Sequence, residues 1–360
     1  MLKRILVLAV VLSGGATIII EGAGIAAGGG GDLAATAGPG GILVVAQDGT
    51  GDHTLIQDAI DDFSASEIVV MPGKYEENIL ITKNLKIRAF DGPLTTIIDG
   101  SKRRRWTKGI GGPSVVQDNV IDINKALNVV IEGLCVTNGV NGVYVQEDDN
   151  VTLRDCAFWA NQSMGIVIHN SWSAGHGPRT TVYNCVCVSN GAHGMGIGQW
   201  HQAYLDHCPV TTIRNSIFVA NGTYGITFYE SDSLTDVANV SLDYNCCTGN
   251  KTANYGPGIG QGQSIPAGVN SFADAPYFVD GNGGDFRLAT WSRCINAGAP
   301  GAAFTDPDGT LNDVGAYGGP GAATFFQNPW DGPMVRELTV TPGSVSQGTP
   351  LTIRAVGSVR

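Results

Sequence analysis

The sequence is poor in basic residues. It has 21 lysines and arginines against 32 aspartates and glutamates, so the formal net charge of the 360 residues is −11. Nucleic-acid phosphates would be repelled by this balance, which argues against a nucleic-acid partner. A polyanionic partner would need a local basic patch or a bridging cation.

The central region also lacks the apolar spacing of helices. Between Asn128 and Gly258 apolar residues alternate, and the chain contains 51 glycines; both features are typical of short strands joined by turns. Five segments of this region align at a repeat of roughly 23 to 31 residues, which is in the range of solenoids. Each segment carries a turn asparagine followed by a glycine: Asn138 and Gly142, Asn161 and Gly165, Asn190 and Gly194, Asn221 and Gly225, Asn250 and Gly256.

The alternation predicts columns of side chains that stack from coil to coil, about 4.8 Å apart. Asparagine suits the turn because it tolerates left-handed backbone geometry and its amide can bond to neighbouring coils. One predicted column is Ile131, Leu153, Val182, Ile213 and Leu242, a second is Val136, Phe158, Cys187, Phe218 and Cys247, and two more begin at Val143 and Val145.

This repeat resembles the right-handed parallel β-helix of pectin-lyase-like proteins of the bacterial secreted type, over about two thirds of the chain. The resemblance implies an all-β solenoid with an N-terminal capping helix and a C-terminal capping module. Gly73–Asn78, which reads GKYEEN, is similar to the first coils of pectin methylesterases. That family also needs motifs like QDTL, DFIFG and GRPW, and the sequence has none of them, so pectinesterase activity is not carried over.

The start of the chain has the layout of a secretory signal, with Lys3 and Arg4 before an apolar run and then small residues. An uncleaved membrane anchor is the alternative. We therefore expect a secreted or cell-surface protein, monomeric and without a membrane segment in its mature form. The expected order is residues 1–27 signal peptide, 28–41 flexible linker, 42–264 β-helix, 265–330 C-terminal cap, and 331–360 linker and start of a truncated immunoglobulin-like module.

Both ends of the solenoid need a cover, because strand edges and core columns would otherwise meet water. Thr54–Gln57 reads as a capping box that opens a short helix. Its apolar face, predicted to plug the first coil, is Ile56, Ala59, Ile60 and Phe63. The residues predicted to cover the last coil are Phe278, Phe286, Leu288 and Ala297.

Three successive units carry long insertions, at residues 169–179, 198–209 and 229–238, after the same strand. In-register coils would bring them out on one side of the tube, where they would form a groove. Sugar rings stack on aromatic faces, and acid–base chemistry needs titratable groups close together. The predicted catalytic residues are His169, Arg179, His201 and Glu230, and the predicted substrate-binding residues are Glu147, Trp172, Trp200, Tyr229 and Asp232.

The residues leave the function open. A carboxylate pair would suit a glycoside hydrolase. Arg179 or a histidine could instead abstract a proton in an acidic-glycan lyase, with calcium on Asp148 and Asp149 or on Asp232. The alternative to a polysaccharide enzyme is a non-catalytic glycan-binding or adhesive surface module.

Two further stretches are candidate sites. Between Ser101 and Lys108 basic residues surround an indole, so Arg104 and Trp106 could bind an acidic sugar; a solvated loop is the alternative. Calcium could also bind the three aspartates that follow residue 305, and a plain Asp-Gly turn is the alternative. These are Asp306, Asp308 and Asp313.

The chain contains eight cysteines. Cys156 and Cys185 share a column on adjacent coils, at a separation compatible with a bridge. The Cys-x-Cys pair of Cys185 and Cys187 has no partner pair at zinc-site spacing, which argues against a metal cluster. We expect most of the cysteines to be buried thiols that behave as small apolar side chains.

Overall fold

The structure is a computed structural model of the chain. It describes residues 18–20, 41–102, 105–106, 115–116, 119–124, 126–146, 150–170, 177–199, 209–229, 239–257, 265–325, 334–341 and 351–358. The chain forms two compact units, one of Thr36–Gln327 and one of Met1–Ala35 with Asn328–Arg360. Within the described residues no helix has the length and apolar character needed to cross a bilayer.

Short strands account for most of the regular structure. The one α-helix of the described residues is α1 (Ile56–Asp61), and 3-10 helices include Gly100–Lys102 and Pro320–Thr324. The strands are β1 (Ile18–Ile20), β2 (Gly41–Val45), β3 (Ala65–Val70), β4 (Gly73–Tyr75), β5 (Ile79–Ile81), β6 (Leu85–Ala89), β7 (Thr96–Asp99), β8 (Arg105–Trp106), β9 (Val115–Val116), β10 (Asn119–Ile123), β11 (Asn128–Glu132), β12 (Cys135–Thr137), β13 (Asn141–Gln146), β14 (Asn150–Arg154), β15 (Ala157–Trp159), β16 (Ile166–Asn170), β17 (Arg179–Tyr183), β18 (Val186–Val188), β19 (Met195–Gln199), β20 (Val210–Arg214), β21 (Ile217–Val219), β22 (Tyr224–Tyr229), β23 (Val240–Asp243), β24 (Cys246–Thr248), β25 (Ala253–Tyr255), β26 (Phe278–Asp280), β27 (Asp285–Leu288), β28 (Met334–Thr341) and β29 (Leu351–Ser358).

Three parallel sheets run along the solenoid, and each full coil gives one strand to each sheet. Sheet 1 has the order β25-β22-β19-β16-β13-β10-β5, sheet 2 the order β2-β3-β6-β11-β14-β17-β20-β23, and sheet 3 the order β24-β21-β18-β15-β12-β7-β4. Neighbouring strands of one sheet come from successive coils, and connections between parallel strands are right-handed. The predicted right-handed parallel β-helix is confirmed.

The predicted core columns are also confirmed. Ile131 pairs with Leu153, and Leu153 with Val182, and the column continues to Leu242. The column that contains Phe158 and the columns after the glycine follow the predicted register as well. These side chains are buried in one continuous core. Burying each large aliphatic or aromatic side chain contributes about 1.5–3 kcal/mol.

The asparagines at the turn between sheets 3 and 1 form a hydrogen-bonded ladder. Asn161 Nδ2 donates to Asn190 Oδ1 at 3.1 Å. In the same way Asn190 donates to Asn221 at 3.0 Å, and Asn221 to Asn250 at 2.8 Å. The same amides donate to core-strand carbonyls, as Asn190 Nδ2 does to Phe158 O at 3.0 Å. The prediction that these amides bond to neighbouring coils is confirmed.

The left-handed residues of this turn are the ones before the ladder asparagines. They are Asn138, Ala160, Ser189, Ala220 and Gly249, with φ between 52° and 63°. Asn138 therefore does not belong to the ladder; its amide donates to Asp99 Oδ2 at 2.9 Å, and Gly139 stands where Asn161 stands one coil later. The ladder asparagines were thus predicted correctly for their hydrogen bonds and wrongly for their backbone geometry.

The glycines that follow the ladder allow the coils to approach each other closely. A Cβ on Gly165 would lie 2.7 Å from Gly194 O, and one on Gly194 would lie 2.6 Å from Gly225 O. Any side chain there would collide with backbone of the next coil. Gly256 does not continue this column, because Tyr224 pairs with Ala253 and Ile226 with Tyr255.

Helix α1 closes the first coil, but its cap differs from the predicted capping box. Leu55 is the N-cap residue and makes no side-chain capping bond. The buried carboxylate of Glu77 accepts hydrogen bonds from the backbone N–H of Ile56 at 2.8 Å and of Gln57 at 3.0 Å. Phe63 was wrongly placed on the buried face: its side chain is 99% exposed, because the helix ends before it.

The amide of Gln57 completes this cover. Leu80 N donates to Gln57 Oε1 at 2.8 Å, and Gln57 Nε2 donates to Leu80 O at 3.3 Å. The side chain therefore satisfies the backbone of β5, the first strand of sheet 1, as a neighbouring strand would. These two bonds explain how the helix covers the open end of the solenoid, which is the role predicted for it.

The C-terminal region closes the last coil and then covers one side of the solenoid. Residues 265–272 meet the last coil, where Phe272 bridges to Cys246. Residues 277–325, which we call the outer layer, pack on the outward side chains of sheet 3. Phe286 contacts Trp159 edge to face, with ring centroids 5.9 Å apart. The predicted covering residues Phe278, Phe286, Leu288 and Ala297 thus belong to a second apolar core outside sheet 3, rather than to an end plug.

The smaller unit contains three described strands. β28 pairs with β29 in antiparallel fashion, and β1 pairs with β29 in parallel. β1 is the part of the predicted signal peptide that the structure describes. The assignments of residues 1–27 to a signal peptide and of 331–360 to an immunoglobulin-like module stay predictions.

Replacing a central ladder asparagine should destabilise the solenoid. In Asn190→Ala, the Asn161 backbone N–H and side-chain amide lose the oxygen they share, and the Phe158 carbonyl loses its amide donor. We expect the free energy of unfolding, measured by urea titration, to fall by about 2–4 kcal/mol. The control is Asn150→Ala, which removes an exposed side-chain bond to Leu127 O and should cost less than about 1 kcal/mol. Equal losses in the two variants would contradict the ladder's structural role.

The capping role of Glu77 can be tested against its neighbour. Glu77→Ala leaves two backbone N–H groups of α1 without their buried acceptor, so we expect a loss of about 2 kcal/mol or more in the free energy of unfolding. Glu76 pairs with Lys102 on the surface, and Glu76→Ala should change stability by less than about 1 kcal/mol. If Glu76→Ala were the more damaging substitution, the capping assignment would be wrong.

Candidate functional site

The anchor points of the three insertions are aligned. The segments between sheet 1 and sheet 2 strands are 171–178, 200–209 and 230–239. Where they leave sheet 1, Asn170 pairs with Gln199 of the next coil; where they rejoin sheet 2, Arg179 pairs with Val210. The insertions therefore leave and re-enter the solenoid at the same corner in successive coils.

Beside this corner, polar side chains occupy the outward face of sheet 1. In β10, Ile121 and Ile123 are buried in the core, and alternation turns Asp122 outward. Register then places Tyr144 next to Asp122, and His169 next to Gln146. We call this set the outer polar cluster; its members are Asn119, Asp122, Asn141, Tyr144, Gln146 and His169.

The carboxylate of Asp122 is held by two side-chain amides. Gln146 Nε2 donates to Asp122 Oδ1 at 2.8 Å, and Asn119 Nδ2 donates to Oδ2 at 3.3 Å. Asn141 Nδ2 donates in turn to Asn119 Oδ1 at 2.9 Å. Asp122 is only 9% exposed, so these bonds replace much of its hydration and fix its orientation.

Tyr144 and His169 form the second half of the cluster. The Tyr144 hydroxyl and His169 Nδ1 share a hydrogen bond of 2.8 Å, and the two rings meet at an interplanar angle of 62°. His169 is 4% exposed, and this burial lowers its pKa to about 4. The imidazole is therefore neutral at neutral pH and resists protonation, while the half-buried Tyr144 faces outward in front of it.

Sequence reasoning identified His169 but missed its neighbours. Asp122, Tyr144 and Gln146 lie in the two coils before the insertions, whereas the prediction concentrated on the insertions themselves. The sequence did contain a signal for an outward polar residue: Asp122 lies between the apolar residues Ile121 and Ile123, which alternation places in the core. His169 itself belongs to strand β16, not to an insertion.

Most of the other predicted site residues lie outside the part of the chain that the structure describes. Arg179 is exposed at the start of β17, in sheet 2, so the structure places it on a different sheet from His169. Trp106 and Tyr229 lie in strands β8 and β22, and their side chains are outside the described part. Outside the described residues altogether lie Arg104, Glu147, Asp148, Asp149, Trp172, Trp200, His201, Glu230 and Asp232.

The three aspartates of the outer layer act as hydrogen-bond acceptors. Asp306 accepts from the backbone N–H of Asp313 at 2.9 Å and from that of Gly319, and burial raises its pKa to about 7. Asp308 accepts from Thr310 N at 2.9 Å, as in an Asp-Gly turn. Among the residues that the structure describes, no group of three or more metal-binding side chains could hold an ion. Calcium binding here stays a prediction without geometric support.

The seven cysteines of the described part are free, buried thiols. This agrees with the expectation of small apolar side chains. Cys156 and Cys185 do stack on adjacent coils, since the residues on either side of them pair. Their sulfur atoms bond to carbonyl oxygens of their own coils, Arg154 O at 3.1 Å and Tyr183 O at 3.3 Å.

The outer layer also exposes two aromatic side chains that the sequence reasoning did not single out. Tyr277 is 52% exposed and Trp291 is 71% exposed. Their backbones are close, because Ala289 N donates to Tyr277 O at 2.8 Å and Ser292 Oγ donates to Pro276 O. Exposed aromatic faces of this kind can stack on sugar rings.

Comparison with known proteins agrees with this architecture. Residues 114–242 match the family model described as the right-handed beta helix region, which is less than half of the chain. The strand register of the solenoid, a right-handed parallel β-helix, agrees with this match. The match begins just before β9 and ends within β23, and so includes the outer polar cluster.

More specific relatives are distant or partial. A cell surface glycoprotein of Methanothermus fervidus is 33% identical over 105 residues, which is 28% of this chain and 15% of that protein. The chain thus spans far less than two thirds of this relative. Two solved structures, a pectin methylesterase in complex with a hexasaccharide and the pectin methylesterase PemA from Erwinia chrysanthemi, are 14% and 13% identical. Each match covers 69% of this chain and 92% of that structure, with a TM-score of 0.36.

The buried imidazole should make stability depend on pH. Its folded pKa of about 4 lies below the ordinary value of 6.5, so the unfolded chain binds a proton that the folded chain does not. This contribution is fully present above pH 6.5 and is lost as pH falls toward 4. Between pH 7 and pH 4 we expect the wild type to lose about 2–3 kcal/mol more unfolding free energy than His169→Gln. Parallel pH profiles of the two proteins would contradict the assignment.

Proposed function

We propose that this chain is a secreted or cell-surface β-helix protein that binds polysaccharide on the outward face of sheet 1, beside the three insertions. The observation that carries the proposal is the outer polar cluster, which places a fixed carboxylate, a phenol and a neutral imidazole on three adjacent coils. Amide and hydroxyl groups in such an array match the hydroxyls of a sugar chain. The repeat of the coils would suit a polymer that lies along several of them.

The groups of the cluster also support cleavage of an acidic glycan by β-elimination. His169 is neutral, and its Nδ1 shares a hydrogen bond with the Tyr144 hydroxyl, so it can orient that group toward the sugar. Tyr144, as the phenolate, would remove the proton next to the sugar carboxylate, and the same proton would then pass from Tyr144 to the leaving oxygen. His169 would act through Tyr144 as a positioning residue. Asp122 would hold Gln146 in place for hydrogen bonding to the same sugar.

The residues predicted on the insertions would complete this site. Trp172, Trp200 and Tyr229 are proposed as stacking surfaces, and His201 and Glu230 as further acid–base groups, because their segments are anchored at the same corner. A calcium ion on Asp148 and Asp149 or on Asp232 would neutralise the carboxylates of an acidic glycan. Hydrolysis with Glu230 as one carboxylate is the second chemistry that these residues would allow.

A non-catalytic surface module is the alternative, and two observations favour it. The partial relative is named a cell surface glycoprotein. Tyr277 and Trp291, which we call the outer aromatic pair, are both exposed, and neither belongs to a strand of sheet 1. A module of this kind would bind glycan, or space other domains, without product formation.

The catalytic proposal is tested by Tyr144→Phe, which keeps the ring and removes the hydroxyl. On a panel of acidic polysaccharides we expect the formation of unsaturated uronate, followed by absorbance, to fall at least about 100-fold in kcat, with KM nearly unchanged. Tyr183→Phe is the matched control, because Tyr183 packs against Phe304 outside sheet 2 and should keep full activity. Wild-type turnover in Tyr144→Phe would remove this tyrosine from the mechanism.

Binding without cleavage separates the two functions. If the wild type binds a glycan array but yields neither unsaturated uronate nor new reducing ends, the surface-module alternative holds. Trp291→Ala would then weaken the binding if the outer aromatic pair is the site. Clear depolymerisation by the wild type would end the non-catalytic alternative.

A further inference from the structure

The outer layer is attached to the last coil at a pair of buried cysteines. Cys246 lies in β24 with its side chain outward, and Cys294 lies in the outer layer; both are fully buried in the second apolar core. Asp274 connects their surroundings: its carbonyl accepts from Cys246 Sγ at 3.0 Å, and its carboxylate pairs with Arg293 at 3.2 Å, next to Cys294. Both thiols belong to the same buried apolar cluster, and the proximity of Cys246 is the main cause of the raised pKa of Cys294.

This contact differs from the stacked pair in the inner core. Cys156 and Cys185 sit in consecutive coils that the sheet ladders already hold together. Cys246 and Cys294 join elements that no strand ladder connects, since Cys294 belongs to none of the strands. A covalent bond at this place would fasten the outer layer to the solenoid, and it would close a loop of about 50 residues.

We propose that Cys246 and Cys294 form a disulfide bond when the protein folds in an oxidising compartment. The oxidant is an organic disulfide, either a small molecule or the active-site disulfide of an oxidised oxidoreductase. One cysteine thiolate attacks the oxidant and releases its first thiolate. The second cysteine thiolate attacks the mixed disulfide and releases the other, so two protons leave the protein and two electrons reduce the oxidant.

Burial determines when the bond can form. In the folded protein both thiols are inaccessible, and the contact with Cys246 together with burial raises the pKa of Cys294. Only the thiolate is a nucleophile, so exchange in the folded state is slow. The bond therefore forms while the outer layer docks, and the finished bond is protected from reductants.

The test uses the full chain, refolded with a mixture of oxidised and reduced glutathione or with reductant alone. After denaturation and alkylation, peptide mass mapping should show a link between the peptides of Cys246 and Cys294 in the oxidised sample. The thermal midpoint of that sample should lie about 5 °C or more above the reduced one. Cys294→Ala should show no such link and no effect of oxidant on the midpoint.

Every alternative outcome overturns the proposal. A link between Cys156 and Cys185 alone would assign the bond to the inner pair. The same number of alkylated thiols in both samples would show that the cysteines stay reduced. If Cys294→Ala fails to fold, the peptide map of the wild type still decides. None of these readouts requires glycan, so the result is independent of the function proposed for sheet 1.

Discussion

The architecture of the solenoid depends on coils that stack in register, and the turn between sheets 3 and 1 sets the distance between successive coils. At that turn a left-handed residue reverses the chain, a buried asparagine bonds to the asparagine of the next coil, and a glycine lets the two backbones come close. Each ladder amide bonds both to its neighbour and to a strand carbonyl, so a slip of one residue would leave several buried polar groups unsatisfied. The energy lost when buried polar groups have no hydrogen-bond partner therefore fixes the register of the coils, together with the packing of the apolar columns.

Register gives residues distant in sequence a common surface. Asp122, Tyr144 and His169 come from three coils and meet because their strands pair. The outer layer covers sheet 3 with a second apolar core, which removes that face from contact with solvent. The binding function that we propose uses the polar groups of sheet 1 and the insertions beside it.

The sequence predicts the repeated part of the fold well because every repeat must place apolar residues inward at the same positions, so each repeat gives separate evidence for those positions. Five segments agree on which residues face inward, and the columns of Ile131 and Val136 follow from that agreement. Features that occur once have no such support. The Glu77 cap acts across about twenty residues, and the outer layer places Phe286 on Trp159 from far along the chain. The outer polar cluster was missed for a similar reason, since Tyr144 and Asp122 are ordinary outward residues until register brings them to His169.

The most direct measurement of in-register stacking is a distance along the solenoid. Lys86 and Ser241 occupy one outward column of sheet 2, five strand spacings apart. Nitroxide labels on cysteines at these two positions, in a Cys208→Ser background with the buried thiols unreacted, can be measured by pulsed electron paramagnetic resonance. The account predicts a narrow distribution centred near ~24 Å, allowing for label length. A broad distribution, or a centre beyond about 35 Å, would contradict it.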